Sequence, residues 1–463
     1  MIIEVDNKLM IHNPTDKVVK WCRQNLILDN PDFYKKERLG KWTGNTPKTI
    51  CLYESIGNNI MMPFGCVRDL WSLVGNECQW KVKIKPISNI ITTSNIKLYD
   101  YQEKACVSLI SAKNGVLVMP CGSGKTQTGL EFISRVGGRA LWLTHTQDLL
   151  NQSKERAQNI LNIDKSEIGT ITGGKVNLGN HITFATVQTL SKLDLLQYRD
   201  YWDIIVVDEC QHCCGTPTRV TQFYKVLSNL SARYKVGLTA TPKRADGLEK
   251  AMYALLGSVV HEVTREEVAH TTCPTEVRLI PTNWVPDYDC VLTSDGTIDY
   301  SRLVENMIND EDRFNLIVDF VAKIPPNQPI MVLGNRVNYL ERLCSKCGEF
   351  KACKCISGMS KNKKSKQERK QALKDLNDGK FQCLFATYQL AKEGLDVPNL
   401  RYLIMATPEQ DYTTVVQSVG RVGRKADGKT RGVVIDFVDK FGMYEKWAKK
   451  RKGYYKKIGA EIK

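Results

Sequence analysis

The chain has little of three things that would set its class at once: long apolar runs, a leader-like start and acidic charge. No stretch of its 463 residues approaches the roughly 18 consecutive apolar positions of a membrane-spanning helix. The start, Met1-Ile2-Ile3-Glu4-Val5-Asp6, has neither the basic region nor the apolar core of a signal peptide. A cytoplasmic protein, of a bacterium or of a host-cell interior, is therefore expected, neither secreted nor bound to a membrane. Sixteen cysteines are spread too thinly over this length for a compact disulfide framework. No short repeat period is present, which excludes a solenoid. Fifty Asp and Glu stand against sixty-six Lys and Arg, leaving +16 with histidine neutral. Such an excess favours polyanions, nucleic acid before anionic membrane. With 42% hydrophobic and 25% charged residues the composition is globular rather than disordered. At roughly 100–200 residues per domain, two to four domains are expected.

Residues 1–97 read as a small α+β accessory domain. Short apolar pieces such as 59–64 precede Lys81-Val82-Lys83-Ile84-Lys85, whose alternation predicts a strand. From Leu98 the texture changes to short β-branched runs alternating with amphipathic segments. Strands are predicted at 115–119, 140–144, 181–186, 203–208 and 234–239, with helices at 126–135 and 146–159 as crossovers. Ile204-Ile205-Val206-Val207 is apolar throughout, as a parallel strand covered by helices on both faces must be. This parallel-sheet domain is expected to span 98–268. The pattern recurs over 269–463, with strands at 330–333, 383–386, 400–405 and 432–437 and helices at 337–343, 366–377 and 412–419. The last stretch, 440–463, carries nine Lys and Arg against two Glu, with Trp447, Tyr454 and Tyr455 interleaved. It reads as a solvated terminal helix, or as a basic extension that tracks phosphates and stacks bases.

Met119-Pro120-Cys121-Gly122-Ser123-Gly124-Lys125-Thr126 follows a predicted strand and opens a predicted helix, the context a phosphate-binding loop requires. Cys121, Gly122, Ser123 and Gly124 would turn backbone N–H groups toward phosphates, helped by the helix N-terminus. Lys125 would reach the β- and γ-phosphates, and the Thr126 hydroxyl would ligate Mg2+. The strict pattern asks for Gly where Met119 stands. Further on, Ile204–Val207 runs into Asp208-Glu209, which places two carboxylates at the strand edge where open α/β sheets bind ligands. Asp208 would hold the Mg2+ and Glu209 would polarise the attacking water.

Taken in order, these segments resemble the motif series of the superfamily 2 helicases and translocases. Tyr101-Gln102 resembles the adenine-reading segment, and Cys121 to Thr126 the first motif. Leu143 to Leu149, Thr172-Gly173 and Thr186-Val187-Gln188-Thr189 sit where nucleic-acid-contacting motifs belong. Asp208-Glu209-Cys210-Gln211-His212 is similar to motif II and Thr239-Ala240-Thr241 to motif III. Val332 to Arg336 resembles motif IV, Ala386 to Pro398 motif V, and Gln417-Ser418-Val419-Gly420-Arg421-Val422-Gly423-Arg424 motif VI. Gly237 to Arg244 and Leu395 to Pro398 place the likeness with the XPB and UvsW group, including phage and large-virus members. That group has His at the fourth position of motif II, where this chain has Gln211 followed by His212, so either could couple to the second domain.

The resemblance implies two tandem RecA-like domains behind a small α+β N-terminal domain. ATP and Mg2+ are the implied cofactors, with Gln102, Gly394 and Asp396 also on the nucleotide. Gln417, Arg421 and Arg424 would be catalytic, the arginines standing three apart and so on one helix face. They would offer guanidinium charge to the γ-phosphoryl group. DNA is the expected partner, duplex, forked or branched with a single strand as track, and RNA less so. The implied activity is an ATP-driven DNA helicase or translocase. The alternatives are a duplex translocase that separates no strands, an RNA helicase, and a scaffold using ATP only as a switch. Cys344, Cys347, Cys353 and Cys355 place four thiols in a short span and read either as a Zn2+ knuckle or as unliganded core cysteines. The run 361–374 has seven Lys and Arg against one Glu, a solvated helix face or a nucleic-acid contact.

Overall fold

Three large sheets organise the chain, each built where apolar strands alternate with amphipathic helices. The computed structural model describes residues 1–216, 220–243, 247–356, 363–392 and 397–463. They form two compact units, one of residues 1–120 and 124–264, the other of 265–463 with the loop residues 121–123.

In the first unit the N-terminal sheet runs in the order Glu54–Ile56, Asn59–Pro63, Lys8–His12, Ile2–Val5, Gln79–Val82. Its pairs are antiparallel except for the last, Ile2–Val5 with Gln79–Val82. Helices Asp16–Asn25 and Val67–Val74 bury Val18, Cys22, Leu70 and Val74 against it. This is the expected α+β region. The predicted strand at 81–85 begins two residues earlier, because residues 79–82 pair with Ile2–Val5.

The second sheet of this unit has the order Lys175–Asn177, Ile168–Thr172, Ile182–Thr186, Ala140–Thr144, Ile204–Asp208, Tyr234–Thr239, Asn114–Val118, Val259–Glu262. All neighbours are parallel except the Lys175–Asn177 edge. Every residue of Ile204–Asp208 is buried, since helices cover both faces and no polar side is tolerated. The registers Asp208 to Leu238 and Thr239 to Val118 bring three strand C-termini to one edge.

The two layers of the first unit share a core. Ala251 and Ala254 pack into the N-terminal cluster with Phe64 and Cys66. Asn114 Nδ2 donates to the Gly65 carbonyl at 3.3 Å, and Asn7 Nδ2 donates to the Ser228 carbonyl at 2.5 Å. Arg199 pairs with Asp6, whose other oxygen accepts from Ser231 Oγ at 2.9 Å. Lys235 is fully buried at this seam. Its Nζ donates to the Leu227 carbonyl at 2.9 Å and the Asn7 carbonyl at 3.4 Å, 4.7 Å from the Phe64 ring centre. Burial pushes the ammonium down to about 7, with Asp6 opposing and Arg199 adding to the fall.

The second unit holds a wholly parallel sheet, Cys353–Ile356, Cys383–Thr387, Ile330–Gly334, Tyr402–Met405, Gly432–Val438, Thr275–Pro281, Glu461–Ile462. Two apolar clusters flank it, one on each face. The predicted strands and helices are present, and Thr275–Pro281 is added as a strand that the sequence reading passed over. Of the two readings of the basic C-terminus, the solvated helix holds for one face only, where Lys446, Lys449, Lys450, Lys452, Lys456 and Lys457 are exposed. Helix Gly442–Lys457 is neither fully solvated nor a free stacking surface. Arg451 is buried, with Nε and Nη2 each 2.8 Å from an Asp436 oxygen, and the Tyr455 hydroxyl donates to Asp436 at 2.7 Å. Trp447 packs against Tyr444 at 5.3 Å between ring centres. The buried face of the helix joins Tyr444, Ala448 and Tyr455 to the Arg451 ion pair, which composition alone conceals.

Among the described residues no helix is long and apolar enough to cross a membrane.

Candidate nucleotide and nucleic-acid sites

The loop after Asn114–Val118 turns on two glycines, Gly122 at φ 83° and Gly124 at φ 86°, a left-handed conformation that L side chains adopt at a steric cost. Gly124 caps helix Lys125–Val136, whose first N–H groups have no partner within the helix and favour an anion. Met119 explains the departure from the strict pattern. It is buried, its N–H donates to the Thr239 carbonyl at 2.9 Å, and it needs no positive φ. That residue extends the sheet at the position where the strict pattern has glycine.

Gln102 lies beside this loop. It is 2% exposed on helix Asp100–Ala112, its Oε1 accepts from the Tyr99 N–H at 3.0 Å, and its Nε2 faces Gly124.

Asp208 and Glu209 end the central strand. Asp208 is 5% exposed, its Oδ1 accepting from the Glu209 N–H at 3.0 Å and its Oδ2 from Ser153 Oγ at 3.4 Å. Burial, and then the charge of Glu209, push its carboxyl up to about 6, while Lys125 and Arg156 pull the other way. A buried carboxylate beside a hydroxyl and a lysine is a donor set suited to Mg2+ with a phosphate. Glu209 sits at φ 50°, a strained conformation for a residue with a side chain, of the sort concentrated at functional sites.

Motifs II and III are joined by one amide. Gln211 is 4% exposed, its Nε2 donating to Glu209 Oε2 at 2.9 Å while its Oε1 accepts from the Thr239 hydroxyl at 2.6 Å. Thr239 Oγ1 in turn accepts from the Thr241 N–H at 3.0 Å. His212 instead turns to His145, with ring centres 4.0 Å apart. The departure at the fourth position thus leaves Gln211 on Glu209.

Two residues here escaped the sequence reading. Ser153 and Arg156 lie three apart on helix Gln147–Ile160, and Arg156 Nη1 donates to the Thr126 hydroxyl at 3.1 Å. Their signal was the i, i+3 spacing on a helix that follows a strand of the same sheet.

The expected nucleic-acid segments of the first unit are tied to one another. Gln188 Nε2 donates to the His145 carbonyl at 2.7 Å, Thr172 bonds to Gln147, and Thr186 Oγ1 donates to Thr189 Oγ1 at 3.0 Å. Burial, and then His212, push the His145 imidazole down to about 4.

In the second unit, Asp411 caps helix Tyr412–Val422 by accepting from the Thr414 N–H at 2.8 Å. Gln417 is buried within it and Arg421 lies in its last turn. Arg424 is not on the helix as expected. It follows the Gly423 cap, donates its N–H to the Arg421 carbonyl at 3.4 Å, and bridges to Thr272. Asn335, in the motif IV segment, donates its N–H to Thr407 Oγ1 at 3.0 Å. Gly394 and Asp396 lie outside the described residues, as do Arg244, Glu393, Leu395, Lys361 and Asn362.

The zinc reading finds no support. Among the described residues, no three His, Cys, Asp or Glu side chains gather as a metal site. Cys344 and Cys347 lie on helix Val337–Cys347, Cys353 and Cys355 on the adjoining strand, and all four pack into an apolar cluster. The thiols of Cys347, Cys353 and Cys355 are pushed up to about 12, mainly by burial for Cys347 and Cys355; for Cys353 the bond to Cys344 pulls the thiol down, and the bond to Cys383 and burial outweigh it. Thiols so placed serve as small apolar core groups.

Comparison with known proteins agrees with this geometry. Residues 95–244 match the family described as type III restriction enzyme, res subunit, and residues 312–426 match the helicase conserved C-terminal domain. A protein of Acanthamoeba polyphaga mimivirus, provisionally named an ATP-dependent RNA helicase, is 25% identical over 390 residues, 80% of this chain and 70% of its own. The DNA 3'-5' translocase XPB2 of Sulfurisphaera tokodaii is 26% identical over 383 residues, 74% of this chain and 82% of its own. Among solved structures, S. cerevisiae Dbp5 bound to RNA and ADP BeF3 aligns with a TM-score of 0.54 at 17% identity, over 79% of this chain and 89% of that one, and so shares the fold. With both helicase domains matched in order and XPB-type proteins among its relatives, the chain belongs to the superfamily 2 helicases, nucleic-acid-dependent ATPases of RecA-like fold.

Proposed function

We propose that this chain is an ATP-driven DNA motor that unwinds or remodels duplex or branched DNA. The observation that carries the reading is the cluster at one sheet edge: Lys125 near Asp208, and Glu209 held by Gln211 to Thr239. In it, Lys125 and the loop amides of residues 121–124 would hold the nucleotide phosphates. Thr126 and Asp208 would hold Mg2+, which supplies Lewis-acid charge when bound. Glu209, aimed by its strained backbone and by Gln211, takes the proton of the attacking water. Gln102 would read the base; by the motif resemblance, Gln417, Arg421 and Arg424 of the second unit would be the polar and guanidinium groups used in hydrolysis, with Gly394 and Asp396 as further nucleotide residues. The Gln211–Thr239 bond gives the phosphate site a direct line to motif III, which a mere ATP switch has no need of.

DNA is favoured over RNA because one aligned relative carries the name of a DNA 3'-5' translocase over most of its length. The RNA reading rests on the name of the mimivirus relative. Turnover measured with single-stranded DNA, blunt duplex, forked DNA and RNA separates them. Stimulation greatest on forked or duplex DNA is expected. Greater stimulation by RNA than by every DNA would overturn the DNA assignment, and the absence of turnover with all of them would sink the motor itself.

A further inference from the structure

We propose that residues 30–48 form a preorganised arm that stacks an unpaired or terminal base of the nucleic acid on Trp42 and holds the adjoining phosphates with Lys35, Arg38 and Lys41. The arm is an excursion between two short paired strands, Ile27–Asp29 and Thr49–Cys51. Its helix, Pro31–Arg38, has no buried residue. A helix without a buried face gains nothing from tertiary packing, yet this one is tied down at several points. The Asn30 side chain accepts from the Asp32 N–H at 3.1 Å and donates to the Pro47 carbonyl at 2.7 Å. Lys36 Nζ donates to Thr46 Oγ1 at 2.6 Å, and the Lys41 N–H donates to the Lys36 carbonyl at 2.9 Å.

What the clasp presents is apolar and basic together. Trp42 is 78% exposed and Leu39 54%. The Trp42 ring lies over Gly44, where a Cβ would collide with it, so the glycine lets the indole rest on backbone with its outer face open. Lys35, Arg38, Lys41 and Lys48 are all exposed, and none of the ion pairs among the described residues involves them. An open indole face among unpaired cations matches a base next to phosphates, since stacking tolerates any base and the cations meet the backbone.

This rests on the reading of the chain as a nucleic-acid motor, and goes beyond it by assigning the structure-sensing contact. The test uses the full chain, because removing the N-terminal domain would uncover Lys235. Trp42→Ala, Trp42→Phe and the triple variant Lys35→Gln, Arg38→Gln, Lys41→Gln would be compared with the unaltered protein on forked DNA carrying 2-aminopurine at the junction. Trp42→Ala should weaken fork binding by about fivefold or more and abolish the 2-aminopurine signal, with Trp42→Phe restoring much of both. The triple variant should lower the log–log salt slope by about 2.7, at ~0.9 per lost phosphate contact. Turnover without nucleic acid should stay unchanged for all three. Variants that bind forks, quench the probe and respond to salt like the unaltered protein would overturn the arm while leaving the motor intact. An unaltered protein that no nucleic acid stimulates would overturn the motor reading, and the arm with it.

Discussion

The Gln211 side-chain oxygen accepts a 2.6 Å hydrogen bond from the Thr239 hydroxyl, two residues 28 apart in the chain, one in the turn after the central strand and the other at the end of the neighbouring strand. Because the same amide also donates to Glu209, a shift of motif III would reach the carboxylate proposed to activate water. Gln211→Ala should therefore lower nucleic-acid-stimulated turnover by about 10- to 100-fold, the range of one or two bonds to a charged group. Thr239→Val should reproduce much of that loss while leaving nucleotide affinity unchanged. Steady-state turnover with and without DNA, alongside nucleotide binding, checks both.

Lys125→Ala should weaken nucleotide binding and turnover together. Glu209→Gln should keep binding and stop hydrolysis, because one side chain grips phosphate and the other positions water. A Glu209→Gln protein with more than about a tenth of normal turnover, a barrier change under about 1.4 kcal/mol, would remove it from the catalytic role.

Arg421→Ala and Arg424→Ala should spare nucleotide affinity and depress stimulated turnover, by roughly 1,000-fold or more for the residue that meets the γ-phosphate. Arg424 lies beyond the helix cap, so the two variants should differ in severity. Equal and normal activity in both would show that motif VI has been misassigned.

Lys235 supplies a pH signature at the seam of the first unit. Its folded value is depressed to about 7, whereas the unfolded chain keeps the ordinary lysine value near ~10.4. Between those two values the unfolded state binds more protons, so stability rises with pH over that window and falls as pH drops toward 7. The groups facing it are Asp6, Arg199, Phe64 and the carbonyls of Asn7 and Leu227. Lys235→Met should melt at a higher temperature than the unaltered protein at pH 7, with the gap closing toward pH 10. A gap that stays constant across that range would show that the buried lysine keeps the charge it carries in the unfolded chain, so that its value is not depressed.

Asp436→Ala should destabilise the second unit by about 3–5 kcal/mol, because it strands a buried guanidinium. Replacing Asp436 and Arg451 together with apolar residues should recover much of that loss. Chemical denaturation of the three variants reads the difference.

The nucleotide loop and Asp208-Glu209 were legible because each is a contiguous segment whose backbone form follows from its own residues. Gly122 and Gly124 supply the positive φ, and an all-apolar strand forces the carboxylates to its end. The strands at 140–144 and 234–239 fell where periodicity placed them. Arg424 was misplaced by a residue-counting argument that could not see the helix stop at Gly423. The basic C-terminus misled for a related reason. Arg451 looks like its exposed neighbours until Asp436 is brought beneath it by the sheet.

Composition, charge and ordered motifs thus determined by themselves the fold class and the helicase family, and pointed to the loop and strand end proposed to hold the nucleotide, since those depend on local backbone preference and on strand ends. Only the tertiary structure decided that Gln211 rather than His212 reaches Glu209, that Arg156 meets Thr126, that the four cysteines are core groups, and that Lys235 seals the N-terminal domain onto the motor. Each of these joins residues far apart in sequence, as Lys235 and Asn7 are by 228 positions. Their pairing is set by sheet order and desolvation, and neither is written in any one segment of the chain.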